Sequence, residues 1–279
     1  MAAHPFRIVN VFTQGDPLSG NPLCVFENAQ AFSTETMQGL ARQFNLSETT
    51  FILPSARAAA RVRIFTPNYE MPFAGHPTLG TAHVCRSLKL GGESLELEMQ
   101  AGMIAVRASG DRWTLTAPSA SWREFEPSKS ALAAALGLEP RDIGDRPLWV
   151  KAGKEQLVVP LNSMDAVQRA APDSLLTGIK SEDGHSMAYV FAFDGDKRAL
   201  ARFFFPQGAA ILEDPATGSA TANFGAWCVA MQRPLPVSLQ ISQGEATGRP
   251  SSLFLTVSEQ RQIFVGGDVL EIGRGTISL

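Results

Sequence analysis

The sequence predicts an α+β protein made of two similar halves, and three observations carry that prediction. The pattern is mostly β, with short alternating strands and one apolar helix rich in small residues in each half. Strands and helices do not alternate in the regular rhythm of a parallel doubly wound sheet, so a curved mixed sheet wrapped around one buried helix fits better. A strand, a turn-rich loop and a helix start also occur twice: Arg63, Phe65, Pro67 and Thr78 meet Arg202, Phe204, Pro206 and Thr217 at a constant offset of 139.

In the first half, Phe6 to Thr13 and Pro22 to Phe26 read as paired strands around the turn-forming loop Gly15 to Gly20. Ser33 to Phe44 reads as a helix with Ser33 as N-cap, Met37, Leu40, Ala41 and Phe44 on one face, and Asn45 as the stop. Leu46 to Leu53 follows as an apolar, β-branched strand with Glu48 at its mouth, an unfavourable place for an ionised carboxylate. Arg63 to Thr66 is a strand ended by Pro67, and Pro77 suits the first position of the central helix, which leaves Gly75 and His76 where a helix presents free backbone donors. That helix ends near Gly91-Gly92, and Leu95 to Met99, Met103 to Ala108 and Trp113 to Thr116 form a meander.

Pro118 to Pro127, irregular and bounded by prolines, reads as the linker. The expected halves are therefore 1–118, with a central helix from about 77, and 119–279, with a central helix from about 217 and a last strand able to pack on the first half. The second half reads as a helix at Lys129 to Leu136, strands at Leu148 to Lys151 and Gln156 to Leu161, and a helix at Met164 to Ala170. Strands at Ala188 to Phe193 and Ala201 to Phe205 precede the central helix, Thr217 to Met231. Val237 to Ile241, Leu253 to Val257, Gln262 to Val265 and Leu270 to Ile272 complete the strands.

Phe73-Ala-Gly-His-Pro77, Glu213-Asp-Pro-Ala-Thr-Gly-Ser-Ala220 and Ser47-Glu-Thr49 resemble the three signature segments of the phenazine-biosynthesis PhzF family of isomerases. The resemblance extends to Gly20 to Phe26, Gly248 to Ser251 and Gly273 to Ile277, and so covers the whole chain. It implies diaminopimelate-epimerase-like halves, each a barrel-like sheet around a central helix, with the active site between them. It also implies that Glu48 is the catalytic glutamate and Asp214 the active-site aspartate that orients the substrate.

Composition narrows the function further. A net charge of −3 and the lack of a basic run give no footprint for nucleic acid or an anionic membrane, and no apolar run approaches a membrane span. The first residues alternate like a strand rather than a signal peptide, and three scattered cysteines suit neither a disulfide framework nor a zinc site, so a reducing, cytoplasmic setting is expected. There is no Gly-x-Gly-x-x-Gly, P-loop or Gly-x-Ser-x-Gly, and His76 and His83 lack a clear third ligand, so no nucleotide cofactor, metal or hydrolase triad is expected.

Two helix starts, carrying Gly75 and His76 in one half and Gly218 and Ser219 in the other, would make an anion site from backbone donors and the side chains of His76 and Ser219. Cofactor-free racemases of the similar epimerase fold place a cysteine before each central helix, because inversion needs a base on each face of the carbon. Here those places hold Ala74 and Asp214-Pro215, and Cys85 and Cys228 lie well inside the helices. Glu48 is left as the one strong base, which favours moving a proton along a substrate over inverting a centre. The expectation is a cofactor-independent isomerase of a small carboxylate-bearing metabolite, a homodimer with no nucleic-acid or membrane partner. Glu48, Asp214 and His76 are the expected catalytic residues, and Gly75, His76, Gly218 and Ser219 the substrate ligands. An epimerase of a small carboxylic acid and a non-catalytic binding protein are the alternatives.

Overall fold

The structure, a computed structural model, describes residues 2–279. The chain forms two compact units, one comprising the residues up to Thr116 together with Gly266–Leu279, the other Ala117–Val265. The first unit contains β1 (Ala3–Thr13), β2 (Asn21–Phe26), α1 (Thr34–Phe44), β3 (Glu48–Leu53), β4 (Ala60–Phe65), β5 (Glu70–Met71), α2 (Gly75–Ser87), β6 (Ser94–Met99), β7 (Gly102–Ser109) and β8 (Arg112–Thr116). The second contains β9 (Ser121–Glu124), α3 (Lys129–Ala135), β10 (Leu148–Ala152), β11 (Lys154–Pro160), α4 (Met164–Arg169), β12 (Ala188–Phe193), β13 (Arg198–Gln207), β14 (Ala210–Asp214), α5 (Gly218–Ala230), β15 (Val237–Gln243) and β16 (Ser251–Val257). The final strand, β17 (Ile263–Ser278), supplies the returning segment of the first unit. Among the described residues no helix is long and apolar enough to cross a membrane.

In the first unit the sheet runs β1, β2, β3, β4, β6, β7, β8, with parallel joins at β2–β3 and β4–β6, and β17 pairs with both β1 and β8 to close it into a barrel. Helix α2 lies inside, against β1, β2, β3, β4, β6 and β8. Gly80 makes this possible: a Cβ there would stand 2.6 Å from Leu23 Cδ2 and 2.9 Å from Val11 Cγ2. Helix α1 covers the outside, capped by Ser33 through the Thr36 N–H and ended by Asn45 in the left-handed region, as its residues predict. Its Met37, Leu40 and Ala41 pack with Cys24, Phe26, Phe51 and Phe65.

The second unit repeats the plan. Its order is β9, β10, β11, β12, β13, β15, β16, with parallel joins at β11–β12 and β13–β15 and with β14 folded back on β13. Helix α5 fills it with aromatic side chains, Phe224 lying 4.0 Å from Phe191 between ring centroids and Trp227 5.0 Å from the same ring.

The repeat is visible in the side chains. Arg63 holds both oxygens of Glu70 at 2.7 and 2.6 Å and lies 5.0 Å over Phe65, while Arg202 holds both oxygens of Glu213 at 3.0 and 2.6 Å and lies 4.7 Å over Phe204. Phe65 pairs with Glu70 and Phe204 with Glu213, so the register agrees as well. From Glu70 to Gly75 and from Glu213 to Gly218 the spacing is again equal, but the second hairpin holds four more residues between its paired Phe204 and Glu213 than the first does between Phe65 and Glu70, because its strands run further. The offset therefore rises from 139 on the strands to 143 on the helices. Thr78 corresponds to Thr221 and not to Thr217, whose counterpart is Ala74; the longer hairpin is what defeats a constant offset.

Other expectations shift for local reasons. Both central helices begin at glycine, Gly75 and Gly218, so Pro77 occupies the third helical position, where its missing N–H is equally harmless. The Pro118 to Pro127 stretch is not irregular throughout: it contains β9, which pairs antiparallel with β10. The strands expected at Gln262 to Val265 and Leu270 to Ile272 are parts of one strand of 16 residues, Ile263–Ser278, which runs through Gly266 and Gly267.

Candidate active site

Helices α1, α3 and α4 are each capped by a serine, Ser33, Ser128 or Ser163, whose hydroxyl accepts an N–H of the first turn. The two central helices are not: neither Ala74 nor Thr217 makes a side-chain cap. The first intrahelical bonds are Thr78 N–H to the Ala74 carbonyl and Thr221 N–H to the Thr217 carbonyl. The N–H groups of Gly75 and His76, and those of Gly218 and Ser219, are thus left outside the helix ladder at the positive dipole ends.

In the first unit the strand and the helix bring Glu48 and His76 together. Glu48 opens β3 opposite Leu23 of the parallel strand β2, its side chain 16% exposed, and its Oε2 lies 3.5 Å from His76 Nδ1. Burial pushes the His76 imidazole down to about 3, with the Pro22 carbonyl pulling weakly the other way. The contact is therefore between a carboxyl group and a neutral imidazole rather than an ion pair. Nε2 of His76 is buried without a hydrogen-bond partner among the described residues, an arrangement that a ligand would relieve. Unfolding raises this imidazole to its ordinary value, so the stability gained by keeping it neutral is complete above about pH 6.5 and is lost toward pH 3, by up to roughly 1.4 kcal/mol per pH unit. His76→Asn is expected to flatten the acid limb of the stability curve over that window, as read by urea unfolding. A limb parallel to that of the unsubstituted protein would show that another group sets it.

In the second unit Asp214 ends β14 and its Oδ2 accepts the Thr217 hydroxyl at 2.6 Å. Buried Gln243 from β15 donates to the same hydroxyl at 3.1 Å and to the Asp214 carbonyl at 2.9 Å, which leaves the Thr217 proton committed to the carboxylate. Gly244, φ +85°, shapes this turn, because a Cβ there would meet the Pro215 carbonyl oxygen at 2.4 Å and that of Arg249 at 2.3 Å. Ser219 accepts from Gln156 Nε2 at 3.1 Å, and Gln156 is itself held by Asn223. Gln243, Gln156 and Asn223 carry no signal that the sequence reading used: they lie on β15, β11 and α5, and Gln243 reaches Thr217, and Gln156 with Asn223 reaches Ser219, only in the folded unit.

The repeat shows that the chemistry is divided unequally. Thr49 pairs with Phe65 as Ala188 pairs with Phe204, so the counterpart of Glu48 is Met187, and Ser47 corresponds to Ser186. On the helix side Met71 corresponds to Asp214 and His76 to Ser219. Each carboxylate is thus matched by a methionine in the other half. Cys85 and Cys228 are buried inside α2 and α5, and burial raises both thiols to about 12, too high for a thiolate base at neutral pH.

The sequence profile described as phenazine biosynthesis-like protein, PhzC-PhzF, matches residues 9–270. The chain belongs to the PhzF family. It is 34% identical over 280 residues to an uncharacterized isomerase of Pasteurella multocida, covering 99% of this chain and 95% of that one. It is also 34% identical over 289 residues to the trans-2,3-dihydro-3-hydroxyanthranilate isomerase of Pseudomonas chlororaphis, covering 99% and 100%. Among solved structures, the Bacillus anthracis phenazine biosynthesis protein of the PhzF family superposes with a TM-score of 0.88 at 25% identity, over 100% of both chains. This PhzF-family chain is accordingly an isomerase with the diaminopimelate-epimerase-like fold.

Proposed function

We propose that the enzyme moves a proton along a small carboxylate-bearing metabolite without a cofactor. In this reading Glu48 removes and returns the proton, and neutral His76 beside it contributes a hydrogen bond. Asp214, held by Thr217, orients a polar group of the substrate, while Gly75, His76, Gly218 and Ser219 bind the carboxylate. A hydrogen bond to a charged group contributes roughly 1.5 to 3 kcal/mol and a helix dipole about 0.3 to 1 kcal/mol, so several such donors are needed for useful affinity.

The observation that carries the reading is that Met187 stands at the position related to Glu48 by the repeat. Inversion of a centre needs bases on both faces; the repeat has a thioether where a second such carboxylate would stand, and the carboxylate of the second unit, Asp214, is engaged by the Thr217 hydroxyl. The relatives' named substrate, trans-2,3-dihydro-3-hydroxyanthranilate, supplies the first compound to try. Incubation with it, followed by NMR, is expected to give a shifted double bond. Recovery of substrate epimerised at a ring carbon, with no shifted product, would favour the epimerase reading instead.

A further inference from the structure

We infer that Gln156 and Asn223 are positioning residues that fix the Ser219 hydroxyl as a hydrogen-bond donor to a carboxylate ligand. The inference rests on the proposed role of Ser219 as a carboxylate ligand. Both amides are buried, Asn223 completely and Gln156 to within 2% exposure. Their orientations follow from the backbone. The Ala152 N–H can only donate, and it meets Asn223 at 2.7 Å, which identifies that atom as Oδ1. Asn223 Nδ2 then donates to the Lys154 carbonyl at 3.0 Å and to Gln156 Oε1 at 2.7 Å. Gln156 Nε2 is left as the donor that Ser219 Oγ accepts at 3.1 Å. A hydroxyl has one proton, and Gln156 cannot take it. The proton of Ser219 is therefore turned away from the relay, and the accepted bond polarises it further.

The first unit shows that the fold does not require this pair. Asn223 corresponds to Gly80, and Gln156 to Leu23, since Leu157 pairs with Ala188 as Cys24 pairs with Thr49. There the two positions are filled by a glycine and the leucine packed on it. Two buried amides stand in the second unit where an apolar contact suffices in the first, and their chain of donors ends on Ser219. A carboxylate accepts only, so a hydroxyl held as a donor favours it over a carboxamide, which presents N–H groups as well as a carbonyl.

Calorimetry with benzoate and benzamide tests this on the full chain, using Ser219→Ala, Gln156→Met and the double variant, with thermal unfolding to confirm that each folds. Ser219→Ala is expected to weaken benzoate about tenfold or more. Gln156→Met is expected to weaken benzoate several-fold while changing benzamide little, and to have no further effect in the Ser219→Ala background. Should Gln156→Met not fold, Gln156→Leu, which places the first unit's residue there, gives the same readout. If Ser219→Ala leaves benzoate affinity unchanged, Ser219 is not a carboxylate ligand and the relay loses its purpose with it. If Ser219→Ala weakens benzoate but loss of Gln156 lowers both ligands equally, or does so equally without Ser219, the amides are structural and the positioning role alone is overturned.

Discussion

Glu48→Gln lowers turnover by about 10² to 10⁴ while carboxylate binding persists, as expected when the titrating group of a general acid/base is removed and its shape kept. The size of the effect follows from the poor substitutes: Asp214 is engaged by the Thr217 hydroxyl at 2.6 Å. Met187 stands at the repeat-related position, and the thiols of Cys85 and Cys228 are raised to about 12. His76, 3.5 Å away, is held neutral by burial, and replacing it should reveal whether it shares the proton. The measurement is kcat together with benzoate affinity for the Gln variant. Normal turnover would reject Glu48 as the base, and equal loss of binding and turnover would point to a structural role.

Arg202→Met destabilises the protein by about 3 to 5 kcal/mol, more than Arg63→Met does. The two arginines are related by the repeat and make the same fork to a glutamate, so the comparison isolates what differs. Nη1 of Arg202 also donates to the carbonyls of Val167, Gln168 and Ala170, at 3.2, 2.9 and 2.7 Å, and so closes the C-terminal end of α4. Nη1 of Arg63 instead donates to the exposed Thr34 hydroxyl at 3.1 Å, beside the positive end of α1. Loss of Arg202 leaves Glu213, 12% exposed, without its cation and three helix-end carbonyls without their donor. Urea unfolding of both variants checks this. Equal losses would mean that the helix-end contacts add nothing.

Residues whose roles depend on local chemistry were readable in the sequence. Ser33 and Asn45 bound α1 as their cap preferences predict, Glu48 opens an apolar strand, and Gly75 and Gly218 stand at the two central helix starts. The recurrence of Arg63 and Phe65 as Arg202 and Phe204 announced the duplication. What was hidden is long-range. The exchange of Leu23 and Gly80 for Gln156 and Asn223 changes an apolar contact into a buried relay, yet each residue alone looks ordinary in its strand or helix. Gln243 reaches Thr217 from a strand that follows α5, and no spacing rule links them. The β14 strand was missed because Ala210 to Asp214 is short and mixed in polarity, and that omission concealed the four-residue shift in the repeat.

In the proposed reaction one carboxylate, Glu48, carries one proton from one carbon to another. The direct measurement uses trans-2,3-dihydro-3-hydroxyanthranilate deuterated at the donor carbon, turned over in ordinary water, with the product read by mass spectrometry and NMR. A single shielded base is expected to return part of the label, so that some product keeps deuterium at the acceptor carbon. Substrate recovered with the donor carbon inverted and its deuterium replaced by hydrogen, with no label at any acceptor carbon, would require a second base and contradict the account.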